Sequence, residues 1–384
     1  MHPFITALCA TLLLGACTPQ YKVPEMTPEE TRRIEQLTER MTTRCMGRYL
    51  IDLPEAFILS VNNPATIEGI PVKVTPMSRS QFDSQLERRT QELRKEHMDT
   101  RPDRPLLKGS EQTPADFVGR VFNRVESGGT AEFARVLELL AWKEGYRIDM
   151  QTKATDGTDL HPDPKKIGTV WGNIEKRVIE EYKNRKDTPE KLALLLSVYS
   201  RVEGRKETDI PESKGLCIAN GFVRGEAIIK EGLNTSFDLK GAPDVSFDLS
   251  HLGDLHEEKS LLQRSGEVEK DMKASGTQTI RKGKKEIHGL AYEEWLMQGP
   301  TADRVPGTMF TLNGNEVAEG ADKPFVSLQL LNGFRIDTPP DLSEEQREAL
   351  GLLKDLEKAT FSPSEAVALW DKVIPTLRRR PGAF

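Results

Sequence analysis

Residues 47–55 and 204–212 share one pattern, G-R-x-x-x-D-[LI]-P-E, at an offset of 157 residues from Gly47 to Gly204. Gly47, Arg48, Asp52, Pro54 and Glu55 recur as Gly204, Arg205, Asp209, Pro211 and Glu212, with Leu53 matched by Ile210. A pattern repeated at the start of each half of a chain reads as duplication, against the alternative of a chance likeness between two short strand-turn segments. Pro54 and Pro211 cannot donate to the interior of a ladder, so each copy reads as an opening strand stopped by proline. Gly47, Arg48 and Asp52 with their repeats also suggest a paired acid and base, but a duplicated fold keeps its turns, and scaffold is the better reading.

The periodicities that follow agree with duplication. In the first half, strands are predicted over 57–61 and 72–75, a helix over 81–97, and strands over 119–125, 133–142 and 146–153, the last two joined at Lys143-Glu144-Gly145. Helices over 171–185 and 190–201 read as packing helices of that half. The second half predicts strands over 215–224, 235–239 and 245–249, a helix over 257–273, and strands over 278–281, 286–298, 308–312 and 325–331, with turn signals at Asn313-Gly314 and Asn332-Gly333. Capping boxes at Thr27, Ser343 and Ser362 open three more helices. The fold class is therefore α+β: two related domains, each a largely antiparallel sheet with packed helices.

The N-terminus fixes a compartment. Residues 4–14 are apolar apart from Thr6 and Thr11, too short to span a bilayer, and Leu14-Gly15-Ala16-Cys17 matches the lipobox of bacterial lipoproteins. Cys17 is the expected lipid attachment site. Met1-His2-Pro3 carries no basic residue, which departs from the usual signal peptide. Thr18, rather than Asp, favours the inner leaflet of the outer membrane, where multiple acyl chains hold a protein stably. The expected segments are a signal peptide over 1–16, a lipidated tether over 17–26, and domains over 27–202 and 203–384. With 384 residues, two domains are the better expectation. At 30% charged and net charge −6, the chain lacks the basic surface that nucleic acid would favour.

Of four cysteines, Cys9 leaves with the signal and Cys17 is acylated, so Cys45 and Cys217 remain. In an oxidising periplasm the two either pair as a disulfide or stay as separate buried thiols, and both readings stand at this point.

Chemistry is sparse. The sequence contains no G-x-S-x-G elbow, Walker A loop, H-E-x-x-H or C-x-x-C. His251 and His256 flank Asp254 in the one segment that resembles a metal site, yet it reads better as a solvated loop entering a helix. Arg281-Lys282-Gly283-Lys284-Lys285 reads as a hairpin tip, and Arg378-Arg379-Arg380 as the last turn of a helix. No catalytic residue, cofactor or metal is assigned.

The lipobox, the stretch Cys45-Met46-Gly47-Arg48-Tyr49-Leu50-Ile51-Asp52-Leu53-Pro54, the second opening at Gly204-Arg205, and Gly215-Leu216-Cys217-Ile218 with Gly221-Phe222 together resemble one family. It is the two-domain immunity lipoproteins that protect bacteria from phospholipase effectors of type VI secretion. The resemblance covers essentially the whole mature chain. It implies a periplasmic protein without catalysis of its own, whose partners are a cognate phospholipase effector and, through the anchor, a membrane. The alternative from another class is an envelope scaffold or assembly lipoprotein.

Overall fold

Thr27 begins the first helix as its neighbours demand. Its hydroxyl accepts from the Glu30 N–H and the Glu30 carboxylate accepts from the Thr27 N–H, a reciprocal cap that starts α1 (Pro28–Thr38). The computed structural model describes residues 20–60, 64–99, 101–302, 304–318, 320–335 and 356–384. Cys17, the signal segment and the helix expected from Ser343 lie outside the described residues. From Gln20 onward the segment read as a tether is docked: Tyr21 donates its N–H to the Thr279 carbonyl at 2.7 Å, and the Ser364 hydroxyl donates to the Pro24 carbonyl at 2.8 Å.

The first half continues with β1 (Met41–Met46), β2 (Tyr49–Pro54), β3 (Phe57–Leu59), β4 (Ala65–Ile67), β5 (Ile70–Pro76) and α2 (Arg79–Lys95). A small ribbon, β6 (His97–Met98) and β7 (Arg101–Pro105), leads into β8 (Leu107–Ser110), β9 (Gly119–Val125), β10 (Ala134–Lys143) and β11 (Tyr146–Thr155). Helices α3 (Val170–Tyr182) and α4 (Thr188–Arg201) follow, then β12 (Val202–Gly204). The second half contains β13 (Gly215–Ile218), β14 (Gly221–Arg224), β15 (Glu231–Leu239), β16 (Val245–Leu252) and α5 (Ser265–Ser275). It ends with β17 (Gln278–Ile287), β18 (Leu290–Pro300), β19 (Pro306–Gly314), β20 (Phe325–Asn332), α6 (Pro363–Val373) and β21 (Arg378–Arg379).

Both halves have the same topology. A hairpin and a helix precede a four-stranded antiparallel meander, β8 to β11 or β17 to β20. The last meander strand returns beside the second hairpin strand, β11 on β5 (Ile148 opposite Val74) and β20 on β16 (Leu249 opposite Leu328). The two sheets fuse through β4 and β15, where Thr66 opposes Gly232 and Ile67 opposes Glu231, into one sheet of 13 strands. Smaller strands are exchanged: β12 leaves the first half to pair with β14, and β21 leaves the second half to pair with β2.

This exchange revises the repeat. Gly47-Arg48 forms the β1–β2 turn, whereas Gly204 ends β12 and the residues after Arg205 are not a strand. The counterpart of Cys45 is Cys217, 172 residues on: Cys45 opposes Leu50 in one hairpin and Cys217 opposes Phe222 in the other. The counterpart of Arg205 is Arg380, since Arg205 N–H donates to the Asn220 carbonyl and Arg380 N–H to the Arg48 carbonyl, each at 2.9 Å. The two glycines serve different needs. Gly47 takes a left-handed φ of 59°, while a Cβ on Gly204 would lie 1.9 Å from the Tyr146 ring.

Several element boundaries also change. Residues 215–224 form two strands around a turn, and α5 starts at Ser265 rather than near 257. Asn313-Gly314 ends β19 instead of forming a turn. The basic run is not a tip: Gly283 sits mid-strand opposite Glu294, Arg281 and Lys285 pair with Glu294, and Lys282 pairs with Glu269, while the chain reverses at His288-Gly289 with φ values of 49° and 74°. Cross-strand opposite charges favour this register. Arg378 and Arg379 form β21, because α6 ends at Val373 and Pro375 lies in the short turn that follows. Trp370 on α6 seals the core between Phe247 and Phe310, its indole N–H donating to Glu294 at 2.8 Å. On the first half, α4 buries Leu195 and Val198, but α3, expected to pack, buries no residue.

Candidate functional site

The two halves meet around the β1–β2 turn. With Gly47 in a left-handed conformation and its Cα against the His251 ring, where a Cβ would fall 2.7 Å from Nδ1, the chain turns Arg48 into the interior. Arg48 Nε donates to Glu231 Oε1 at 2.6 Å and Nη2 to Oε2 at 2.8 Å, a two-point pair between halves. The remaining donors reach the carbonyls of Gly225 (3.3 Å), Glu226 (2.9 Å) and Ala383. His251 Nε2 lies 3.2 Å from Glu231 Oε1. Arg48, Glu231 and His251 are all buried.

Two more buried guanidiniums stand nearby and are held by carbonyls. Arg205 donates to Asp209 at 2.9 Å and Lys206 at 2.9 Å, and Arg380 to Pro211 at 2.5 Å, Ser213 at 2.8 Å and Gly215 at 2.6 Å. Burial lowers Arg380 to about 10, and the positive charges of Arg48 and Arg205 add to the shift. Cys45 and Cys217 sit beside this cluster with Cα atoms 5.7 Å apart, inside disulfide range, packed on Leu50 and Phe222. The Gly-Arg motifs are thus joinery: their polar groups are occupied within the chain.

His251, expected in a solvated loop, lies inside β16 because its ring fills the space above Gly47. His256 is in the loop beyond. Among the described residues, no group of three or more His, Cys, Asp or Glu is placed to hold a metal. The Arg48–Glu231 contact spans 183 residues, and no local pattern marks it.

A second charged cluster lines a cleft of about 310 Å³ between α2 and the sheet. Glu138 accepts from Arg89 at 2.8 and 3.0 Å and from Arg124 at 2.6 Å. Burial pushes the Glu138 carboxyl up, but the two guanidiniums pull it further down, below the ordinary range; Glu231 behaves alike with Arg48 and His251. Asp248 moves the other way, raised by burial. A depressed carboxyl contributes stability that is complete above its unfolded pKa and is lost as pH falls. A raised one favours the fold on acidification. In thermal melts from about pH 6 to about pH 3, Glu138→Gln is therefore expected to flatten the acid decline and Asp248→Asn to steepen it. Identical slopes would refute both assignments.

The fold and junction define the class: a two-domain α+β protein whose halves are duplicated, fused through one sheet and locked by exchanged strands. Family models for the N-terminal and C-terminal domains of Tle cognate immunity protein 4 match residues 42–205 and 209–382. The chain belongs to this immunity-protein family of type VI secretion phospholipase effectors. Among solved structures it is similar to the Tle4–Tli4 complex, with TM-score 0.60 and 19% identity over 89% of this chain and 98% of that one. It is similar also to the apo immunity protein TplEi of the type VI secretion system of Pseudomonas aeruginosa, with TM-score 0.57, 19% identity and the same coverage. No curated protein sequence matches it.

Proposed function

We propose that this chain is a periplasmic immunity protein that binds a cognate type VI secretion phospholipase effector and neutralises it by covering the lid or active-site region. The observation that carries the reading is the match of both halves, in order, to the two domains of one immunity family. A solved relative of the same fold is a complex of such an immunity protein with Tle4. In this reading residues 1–16 are removed, Cys17 carries lipid, the disulfide joins Cys45 to Cys217, and 27–202 and 203–384 are the two arms. A junction tied by a buried ion pair suits the task, because a preorganised binder loses less freedom on association. A stable grip buries about 1,600 Å² in total. The test adds the mature protein to a type VI secretion phospholipase effector of the producing strain and follows lipid hydrolysis. Stoichiometric loss of activity is expected, and undiminished hydrolysis at excess protein would sink the proposal.

A further inference from the structure

Residues 20–59 open the first half in sequence, yet their bonds run to the second. The Gln20 side-chain amide donates to the Ile280 carbonyl at 2.7 Å, next to the bond from Tyr21 to Thr279. On α1, Arg33 pairs with Glu365, which is fully buried on α6, and donates to the Thr360 carbonyl at 3.2 Å. In β2, the Asp52 N–H donates to the Thr376 hydroxyl at 2.9 Å, and the Asp52 carboxylate accepts from Arg378 at 3.2 Å. Strand β3 pairs with β15, Ile58 opposite Asp238, and the Phe57 ring meets Phe247 edge-on with centroids 5.1 Å apart. Ile34, Tyr49, Ile51 and Leu53 are buried along the same segment.

The hairpin β13–β14 opens the second half and does the reverse. A Cβ on Gly221 would fall 2.8 Å from Val74 Cγ2, so the hairpin lies directly against β5. Helix α4 packs on β14 as well as on β10 and β11, and Lys143 of β10 donates to the Val202 carbonyl at 3.1 Å where β12 joins the hairpin. Each hairpin also takes its third strand from the half it rests on: β21 follows α6 and pairs with β2, and β12 follows α4 and pairs with β14.

We infer that the chain folds as two units that differ from its two sequence repeats. Among the described residues, those from 64 to 224 form one unit, and those from 20 to 59 with those from 231 onward form the other, so the first is inserted into the second. The two family models meet between residues 205 and 209, inside the inserted unit, because they follow the repeat and not the contacts. Local stability follows burial and hydrogen bonding, so a segment opens with the elements that cover it, however distant they are in sequence. The chain passes between the units twice, between residues 59 and 64 and between 224 and 231, and the Cys45–Cys217 bond ties the hairpin of one unit to the hairpin of the other. Two connections and a cross-link restrict the relative motion expected of domains joined by a single linker.

Amide hydrogen exchange of the purified protein tests the assignment in wild type, Trp370→Ala on α6 and Leu195→Ala on α4, both side chains being fully buried. In Trp370→Ala, the amides of 41–54 are expected to exchange about tenfold faster or more, together with those of 245–252 and 325–332, while 134–155 and 215–224 keep wild-type protection. In Leu195→Ala the pattern is expected to invert, 215–224 opening with 134–155 and 41–54 unchanged. Trp370→Phe and Leu195→Val carry the same expectations at smaller amplitude and replace either alanine variant that does not fold. Protection of 41–54 that is lost in Leu195→Ala and kept in Trp370→Ala would overturn the inference and make the repeats the folding units. Uniform loss across the chain in both variants would overturn it as well, since the protein would then open as one unit.

Discussion

Replacing Cys45 and Cys217 together by alanine is expected to destabilise the protein by about 5 kcal/mol, the chain-entropy value for a link across 172 residues. Each residue is almost fully buried, and each belongs to a hairpin of a different half. The hairpins also bond directly, Gly47 N–H donating to the Cys217 carbonyl at 2.9 Å and Cys217 N–H to the Gly47 carbonyl at 2.8 Å. The cross-link therefore acts at the centre of the duplication, beside the main-chain pairing of the halves that runs through β3 and β4 on β15, β12 on β14 and β21 on β2. Alanine keeps the site apolar beside Leu50 and Phe222, which separates loss of the link from burial of a new polar group. The measurement is urea unfolding of the oxidised protein, the double variant and the wild type under reductant. The last two are expected to coincide at a lower midpoint. A double variant as stable as the oxidised wild type would show that the pair contributes nothing.

How far such features can be read from sequence depends on the range over which their causes act. Strands β9 to β11 lie within two residues of their predicted places because alternation and a local turn decide them: Glu144 and Gly145 take left-handed φ values of 48° and 89°. The β17–β18 reversal had an equally local signal in Gly289, but Gly283 in the basic run drew the turn. What overrides it is Glu294 on the neighbouring strand, invisible in a window of ten residues. Duplication was legible while its register was not. The residues that correspond, Cys45 with Cys217 and Arg205 with Arg380, have few identical neighbours, and the matching Gly-Arg pairs perform different tasks. For α3 the apolar period correctly gives a helix, yet period alone does not say whether the stripe is covered by the same chain. The junction was the least legible part, because Arg48 and Glu231 come from opposite halves and neither stands in a motif that names the other.

That pair carries the second large effect: Arg48→Ala is expected to cost about 3–5 kcal/mol. The loss arises less from the attraction removed than from the carboxylate left behind. Glu231 is buried and its oxygens already face Arg48 and His251, so without the guanidinium it must stay charged in a poor solvent or take up a proton. Arg48→Lys keeps the charge but not the fork. One ammonium cannot serve both carboxylate oxygens and also the carbonyls of Gly225, Glu226 and Ala383, so an intermediate loss is expected. Arg48→Met with Glu231→Leu removes both charges at similar volume and is expected to recover much of the stability, since desolvating a buried pair offsets much of its attraction. Unfolding free energies of Arg48→Met, Glu231→Leu and the double variant complete the cycle, and a large coupling energy is the expected result. If the single losses simply add, the two residues act independently and their pairing contributes nothing to the junction beyond its other contacts. If the double variant is stable yet inhibits the phospholipase poorly, the pair sets how the halves dock rather than how firmly they fold, the role in which a buried ion pair outperforms the apolar contact that could replace it.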